Sequence, residues 1–431
     1  NIEVIGQPMG QECVVINGYG IAGSSAIDDV VIQCVSDWLG TVQWGDSLYN
    51  EIFDTAIDKA GNHYVVSASR YYINEAAYYY LPSLTKFDSR GVELWVANLN
   101  IQNGTFSSVT VDHSQNIVVW GTACCKLRGT GSSSSSFVLA KFNFEGEQLL
   151  FSQFFWGYQY IEATDSAIDA DGNIFIAGSG YGESAVGLSD SFVTKLNSSF
   201  DVIWIYRFST SGYDEVTSIA LDFDGNLITT GYTSCMIGDQ LFGESDLFVS
   251  KISKDGEMRW TTQFGGSLSE FSNDVTVDSA NNIYMVGHSS SNEILDKELQ
   301  YDTTGVLVKI TEDGMVEWLR TLDGSYKSVM FNGDDKIVVS GTTHTVAKQV
   351  SLLKTIIDCY DTQGSKIWSM EKPLVSTDGS VIKYSSPTSI QFDALGNIII
   401  AGELGGVFPE TKILGIFYGY LLKVGIDGII L

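Results

Sequence analysis

Histidine, proline and positive charge are all scarce in this sequence. There are four histidines and five prolines in 431 residues, and 24 Lys and Arg stand against 52 Asp and Glu. Four scattered histidines (His63, His113, His288 and His344) leave little material for a zinc site. No His-Glu-x-x-His, Gly-x-Ser-x-Gly or phosphate-binding glycine loop occurs. Five prolines leave no room for a proline-rich linker, and no composition shift marks a domain boundary. A formal net charge of −28 repels phosphate backbones and anionic membranes, which argues against a nucleic-acid partner. No run reaches 18 apolar residues, so no helix-type membrane span is expected.

Cysteine is sparse too. The six residues, Cys13, Cys34, Cys124, Cys125, Cys235 and Cys359, form no Cys-x-x-Cys pair. Buried free thiols are the plain expectation, with a Cys13–Cys34 disulfide as the alternative inside one unit. The first residue is Asn1, which fits a processed chain with a removed leader. Sequons at Asn103 and Asn197 fall where turns are expected, and fit a secreted glycoprotein.

What the chain has in quantity is repetition. A tight turn, Asp-x-x-Gly-Asn in its full form, can be followed at residues 58–62, 112–116, 169–173, 222–226, 278–282, 332–336 and 393–397, in steps of 53 to 61 residues, with Gln115 and Asn281 in the glycine place and Asn332-Gly333-Asp334-Asp335-Lys336 as the most divergent copy. Asp, Asn and Gly accept positive φ and suit hairpins. A second signature, Gly-x-x-x-Trp, occurs at Gly40/Trp44, Gly91/Trp95, Gly256/Trp260, Gly314/Trp318 and Gly364/Trp368. Phe200/Trp204 loses the glycine and Gly146/Leu150 loses the tryptophan. The clearest copy, 216–264, reads as four strands, A to D, with the Asp turn between A and B and the tryptophan on D.

Such units cannot bury both faces alone, and radial stacking solves this. The expectation is an all-β, eight-bladed β-propeller with four antiparallel strands per blade. It forms one domain over 1–431, with repeats near 1–50, 51–104, 105–160, 161–213, 214–269, 270–324, 325–380 and 381–431. In this phase a degenerate first copy runs over 1–44. The last copy stops at Leu431, one residue short of its tryptophan position, which suggests that the chain continues. Closure is expected from packing between the first and last blades, without a shared strand.

Four elements together carry a resemblance. They are the Asp222–Asn226 turn, Gly231-Tyr232-Thr233, Phe192-Val193-Thr194-Lys195 with its counterpart Phe248-Val249-Ser250-Lys251, and the strand-D tryptophan. The chain resembles the SBBP-type β-propeller repeats of secreted proteins. The tryptophan is also similar to the docking tryptophans of eight-bladed quinoprotein propellers. The resemblance implies a fold and leaves function open.

Strand A lines the channel in a propeller. Four residues before each turn stand Glu3, Asp54, Ser108, Asp165, Ser218, Asp274, Ser328 and Ser389. Glu3, Asp54, Asp165 and Asp274 make a candidate metal set for a channel cation such as calcium. The plain alternative is that these side chains bond neighbouring backbone. A lysine on strand C recurs at Lys86, Lys141, Lys195, Lys251, Lys309 and Lys423, and is expected to cover apolar surface while its ammonium meets a carboxylate.

Aromatic residues break the repeat. Tyr71, Tyr72, Tyr78, Tyr79 and Tyr80 cluster in one excursion, and Trp156, Tyr158 and Tyr160 in another. They are the candidate binding residues for a protein or glycan partner, self-assembly included. The expected function is adhesion, extracellular assembly or recognition at the cell surface, without catalysis or a cofactor. The alternative is a lyase, hydrolase or quinoprotein-like oxidoreductase acting at the channel mouth.

Overall fold

In the computed structural model, residues 11–16, 31–36, 41–44, 50–74, 77–98, 101, 104–124, 135–154, 160–181, 188–295, 297–298, 304–347, 350–372, 384–405 and 418–430 are described. Seven four-stranded antiparallel sheets are arranged in a ring. We number the blades 1 to 7 along the chain and letter their strands A to D from the axis outward. Blade 4 consists of Asp214–Leu221, Leu227–Thr233, Asp246–Ile252 and Met258–Phe264. The seven A strands are Asn50–Ile57, Gly104–Val111, Tyr160–Ile168, Asp214–Leu221, Glu270–Val277, Ser325–Phe331 and Tyr384–Phe392.

The expected eight blades are corrected to seven. Blade 7 takes its A, B and C strands from 384–424 and its D strand, Thr41–Trp44, from the other end of the chain. Thr41 lies opposite Leu422 and Trp44 opposite Gly419. Closure is therefore by a shared strand, against expectation. The signature Gly40/Trp44 belongs to the same blade as the turn at Gly428. Residues assigned to the first blade form a separate two-stranded sheet, Gln11–Ile16 against Val31–Ser36. In it Cys13 and Cys34 are directly opposed. The Cα separation of such antiparallel partners lies within disulfide reach.

The turn and lysine signatures act within each blade. In blade 4 the Asp222 carboxylate accepts the amides of Asp224 and Asn226, and Gly225 takes φ +80°. The strand-C lysine then pairs with this aspartate, as Lys251 with Asp222 at 2.9 Å, Lys141 with Asp112 at 2.7 Å, and Lys195 with Asp169 and Lys423 with Asp393 at 3.1 Å. In blades 1 and 5 a strand-B tyrosine intervenes. Tyr64 and Tyr284 donate to Asp58 and Asp278, and Lys86 and Lys309 lie over the tyrosine rings instead.

Each docking tryptophan contacts the following blade. The indole Nε1 of Trp95, Trp204, Trp260 and Trp368 donates to the carbonyls of Phe144, Lys254, Glu312 and Ile426 in the next blade's C–D turn. The ring lies on the glycine of that turn. A Cβ on Gly314 would stand 2.8 Å from Trp260. Trp318 departs from the pattern. Arg320 covers its ring and takes the Gln363 and Gly364 carbonyls, leaving Trp318 Nε1 without a partner. The side chain of Trp44 lies outside the described residues.

Candidate functional site

Every A strand carries a register shift immediately before its axial residue, for example between Ile52 and Asp54 and between Val216 and Ser218. In six blades the extra residue is single, and in blade 3 the shift spans Ala163 to Ser166. A bulge bends the strand and re-aims side chains. It brings seven residues, Asp54, Ser108, Asp165, Ser218, Asp274, Ser328 and Ser389, to one level around the axis.

There they form a hydrogen-bonded waist. Ser108 donates towards Asp54 at 3.1 Å, and Ser389 reaches the other Asp54 oxygen at 2.8 Å. Ser218 lies 2.9 Å from both Asp165 and Asp274, and Ser328 lies 2.8 Å from Asp274. The amides of Val109, Ile219 and Val329 reach across from the next blade to the same aspartates. Thr55, Ser166 and Val275 donate to the aspartate preceding each. Burial raises the pKa of Asp54 to about 7 and of Asp274 to about 6, with the charge of Asp165 adding to both. Asp165 is raised too, again chiefly by burial.

Three of the four expected metal residues thus meet at one level, and Glu3 lies outside the described residues. Each oxygen of the three carboxylates already has two hydrogen-bonding neighbours, counting the 3.4 Å approach of Ser108 to Asp165. A carboxylate has about four acceptor sites, so the ring's own donors compete with any cation for these oxygens. Among the described residues no group of three or more His, Cys, Asp or Glu is placed to hold a metal ion. In this structure the aspartates serve as acceptors of the waist.

The channel widens on both sides. A cavity of about 490 Å³ surrounds the waist and continues towards the A–B turns. A second, of about 530 Å³, opens where the A strands begin. We call this end the mouth. Glu51, Glu162, Glu215, Tyr80, Tyr160 and Tyr181 are among its lining residues, and among the described residues no Lys or Arg lines it.

The expected binding tyrosines divide here. Tyr80 is buried, donates to Glu51 at 2.8 Å, and shares Arg70 with it. Tyr71 and Tyr79 stack 5.5 Å apart on the long hairpin His63–Asn74/Ala77–Phe87 and are half-buried. Tyr160 is 60% exposed at the mouth. The side chains of Tyr72 and Tyr78, and residues Trp156 and Tyr158, lie outside the described residues.

Repeat-based reading missed the other half of the mouth. Glu215 Oε2 accepts hydroxyls from Tyr181 at 3.1 Å and from Tyr232 at 2.5 Å. Burial, then the Glu215 charge, pushes Tyr181 up to about 12. Tyr232 packs edge-on against Phe271 at 4.7 Å, and Phe271 stacks on His288 at 5.2 Å. His288 is held below its ordinary pKa by burial, then by the Lys327 charge. One signal was available. Three residues before the waist position stand Glu51, Thr105, Glu162, Glu215, Phe271, Ser325 and Ser386, so the acids fall only in blades 1, 3 and 4.

Asn197, one of the two sequons, is used as a turn acceptor. Its Oδ1 takes the amides of Ser199 and Asp201, and its Nδ2 donates to Asp201 at 2.9 Å. Asn103 lies outside the described residues. No helix among the described residues is long and apolar enough to cross a membrane.

The SBBP β-propeller repeat family matches residues 259–294. No curated protein matches the chain. Among solved structures, a polysaccharide lyase of the PL25 ulvan lyase family is 10% identical, with a TM-score of 0.49 over 90% of this chain and 97% of that one. BamB from Moraxella catarrhalis is 12% identical, with a TM-score of 0.41 over 86% and 85%. A gluconolactonase from Xanthomonas campestris is 12% identical, with a TM-score of 0.38 over 70% and 85%. The chain is a seven-bladed β-propeller, and its residues 259–294 resemble the SBBP repeat.

Proposed function

We propose that this propeller is an extracellular recognition module that holds a neutral, hydroxyl-rich ligand, such as an oligosaccharide, at the channel mouth. The observation that carries the reading is the uneven decoration of an even scaffold. Glu51, Glu162 and Glu215 with Tyr80, Tyr160 and Tyr181 crowd one side of the mouth. Carboxylates and phenols accept and donate to sugar hydroxyls, and an aromatic face covers a sugar's apolar face. Among the described residues no lysine or arginine lines the mouth, and Arg70 behind it is paired with Glu51, so an anionic polymer is disfavoured.

Two further observations support an extracellular contact role. The opposed Cys13 and Cys34 suit an oxidising compartment. On the outer strands of blades 1 to 3, the residues flanking the tryptophan position are apolar and exposed: Leu94, Val96, Leu149, Phe151, Ile203 and Ile205. In blade 4 the matching positions are Arg259 and Thr261.

The test is calorimetric titration with neutral oligosaccharides beside a sulfated polysaccharide. Saturable binding of a neutral sugar, weakened tenfold or more by Tyr160→Ser or Glu215→Gln at unchanged thermal stability, is the expected result. Binding of the sulfated polymer alone overturns the ligand assignment. Release of new reducing ends during the titration overturns the non-catalytic reading.

A further inference from the structure

The waist contains more serine–aspartate contacts than serine protons. Ser108 and Ser218 each stand between two aspartates, and Ser328 and Ser389 each meet one. That makes six contacts for four hydroxyl protons. Ser218 states the problem most sharply, because both of its contacts are 2.9 Å. A serine hydroxyl donates once. Two ionised carboxylates cannot both receive that proton, and the second contact would set a lone pair against an anion.

We infer that the waist is a proton-binding site, in which a carboxyl proton shared by Asp165 and Asp274 through Ser218 completes the ring. The protonated carboxyl donates to Ser218 Oγ, and Ser218 donates onward to the other aspartate. Seven blades also prevent a perfect alternation of acid and serine. Ser328 and Ser389 are therefore consecutive, and each gives its one proton to a different aspartate.

The surroundings favour this arrangement. Among the described residues Lys327, exposed in blade 6, is the one other titratable group lining this cavity, and none of the waist carboxylates pairs with it. The strand-B residues opposite the waist, among them Val66, Thr230, Val286 and Ala401, carry no titratable group. Buried anions without cationic partners hold protons more tightly than free ones, in line with the raised values of all three aspartates.

The sign of the linkage is fixed by this direction. Raised folded-state values give stability that is present in acid and lost as pH rises through about 6 to 7. Glu403, raised by burial to about 7, titrates in the same window, so Glu403→Gln is the background for the measurement. In that background the folding equilibrium constant should fall about tenfold per pH unit, for each proton that the folded state keeps and the unfolded state has lost, between about pH 4 and about pH 6, and level off above about pH 7. Asp165→Asn places a permanent donor beside Ser218. It should remove one proton from that slope; because its Nδ2 cannot accept the Ile219 amide it should start less stable than its parent in acid, and the deficit should shrink as pH rises towards about 7. A flat profile in the parent, or an unchanged slope in Asp165→Asn, overturns the inference. If Asp165→Asn does not fold, carboxyl carbon shifts of the unsubstituted protein decide. All three aspartates titrating near the ordinary value of about 4 would overturn it.

Discussion

Leu150 and Phe200 together fill the place that elsewhere takes a tryptophan and a glycine. At the junction of blades 4 and 5, Trp260 lies on Gly314. At the junction of blades 2 and 3 the tryptophan position is Leu150 and the glycine position is Phe200. Phe200 is buried in the cluster against which Leu150 packs. Two exceptions to the repeat, in different blades, are thus one exchange of aromatic bulk across an interface.

The exchange should be reversible. Phe200→Gly alone removes a buried ring and is expected to cost about 2–4 kcal/mol, part of the loss being recovered because Phe200 sits at φ +71°. Leu150→Trp alone overpacks against Phe200, at about 1–3 kcal/mol. The double variant should return to within about 1 kcal/mol of the parent. Urea midpoints of the four proteins check this. Simple additivity would show that the two residues do not share a site.

Two kinds of turn glycine should respond differently to alanine. Gly225, at φ +80°, has nothing within 4 Å of an added Cβ. Gly225→Ala should cost only the backbone term, about 1–2 kcal/mol. Gly314→Ala adds a collision with Trp260 and should cost at least about 1 kcal/mol more. The excess should vanish in a Trp260→Ala background. Trp260 is half-buried, so its own truncation should fall at or below the lower end of the about 3–5 kcal/mol for a buried tryptophan.

Ring closure predicts a contrast between two valines near the start of the chain. Val42 lies in the closing strand opposite Leu421 and packs on the Ile52, Ala401 and Leu421 cluster. Val42→Pro removes this packing and constrains the closing strand, and should lower the main unfolding transition by about 2 kcal/mol or more. Val14→Pro, in the separate hairpin, should leave that transition in place. Equal losses would restore the hairpin to the status of a blade.

Acid should act on the turns before the waist. Burial works against the Asp222 carboxylate, but Asn226 and Lys251 outweigh it and hold Asp222 below its ordinary pKa. A depressed folded value gives stability that is present above the unfolded value of about 4 and lost as pH falls through the folded one. Asp222→Asn should therefore cost stability at neutral pH and flatten the acid limb of the stability profile. Denaturation midpoints between about pH 2 and about pH 7 measure this. An acid limb as steep as the parent's would mean that Lys251 contributes nothing through this pair.

Local chemistry was legible because each requirement is met by neighbours in sequence. Asp-x-x-Gly-Asn dictates its own turn, and alternating strands dictate sheets. The lysine–aspartate pair was foreseen in type because both members sit at fixed places in every repeat. The tyrosine–glutamate arc at the mouth was not legible. Glu215 meets Tyr181 from another blade, and no periodicity marks that meeting. Only the break in pattern at Glu51, Glu162 and Glu215 pointed there.

By itself the sequence determined the four-stranded unit, its turns, its docking tryptophans and the axial series of aspartates and serines. The tertiary structure decided the number of blades, because that number depends on which segment pairs with the last strand C. Eight copies of a signature can be counted along the chain, but Gly40/Trp44 and Gly428 are halves of one blade. The pairing of Thr41–Trp44 with Tyr418–Val424 joins segments more than 370 residues apart. Strand pairing at that separation is set by the twist and packing of all the intervening sheets, and leaves no local mark on the residues that make it.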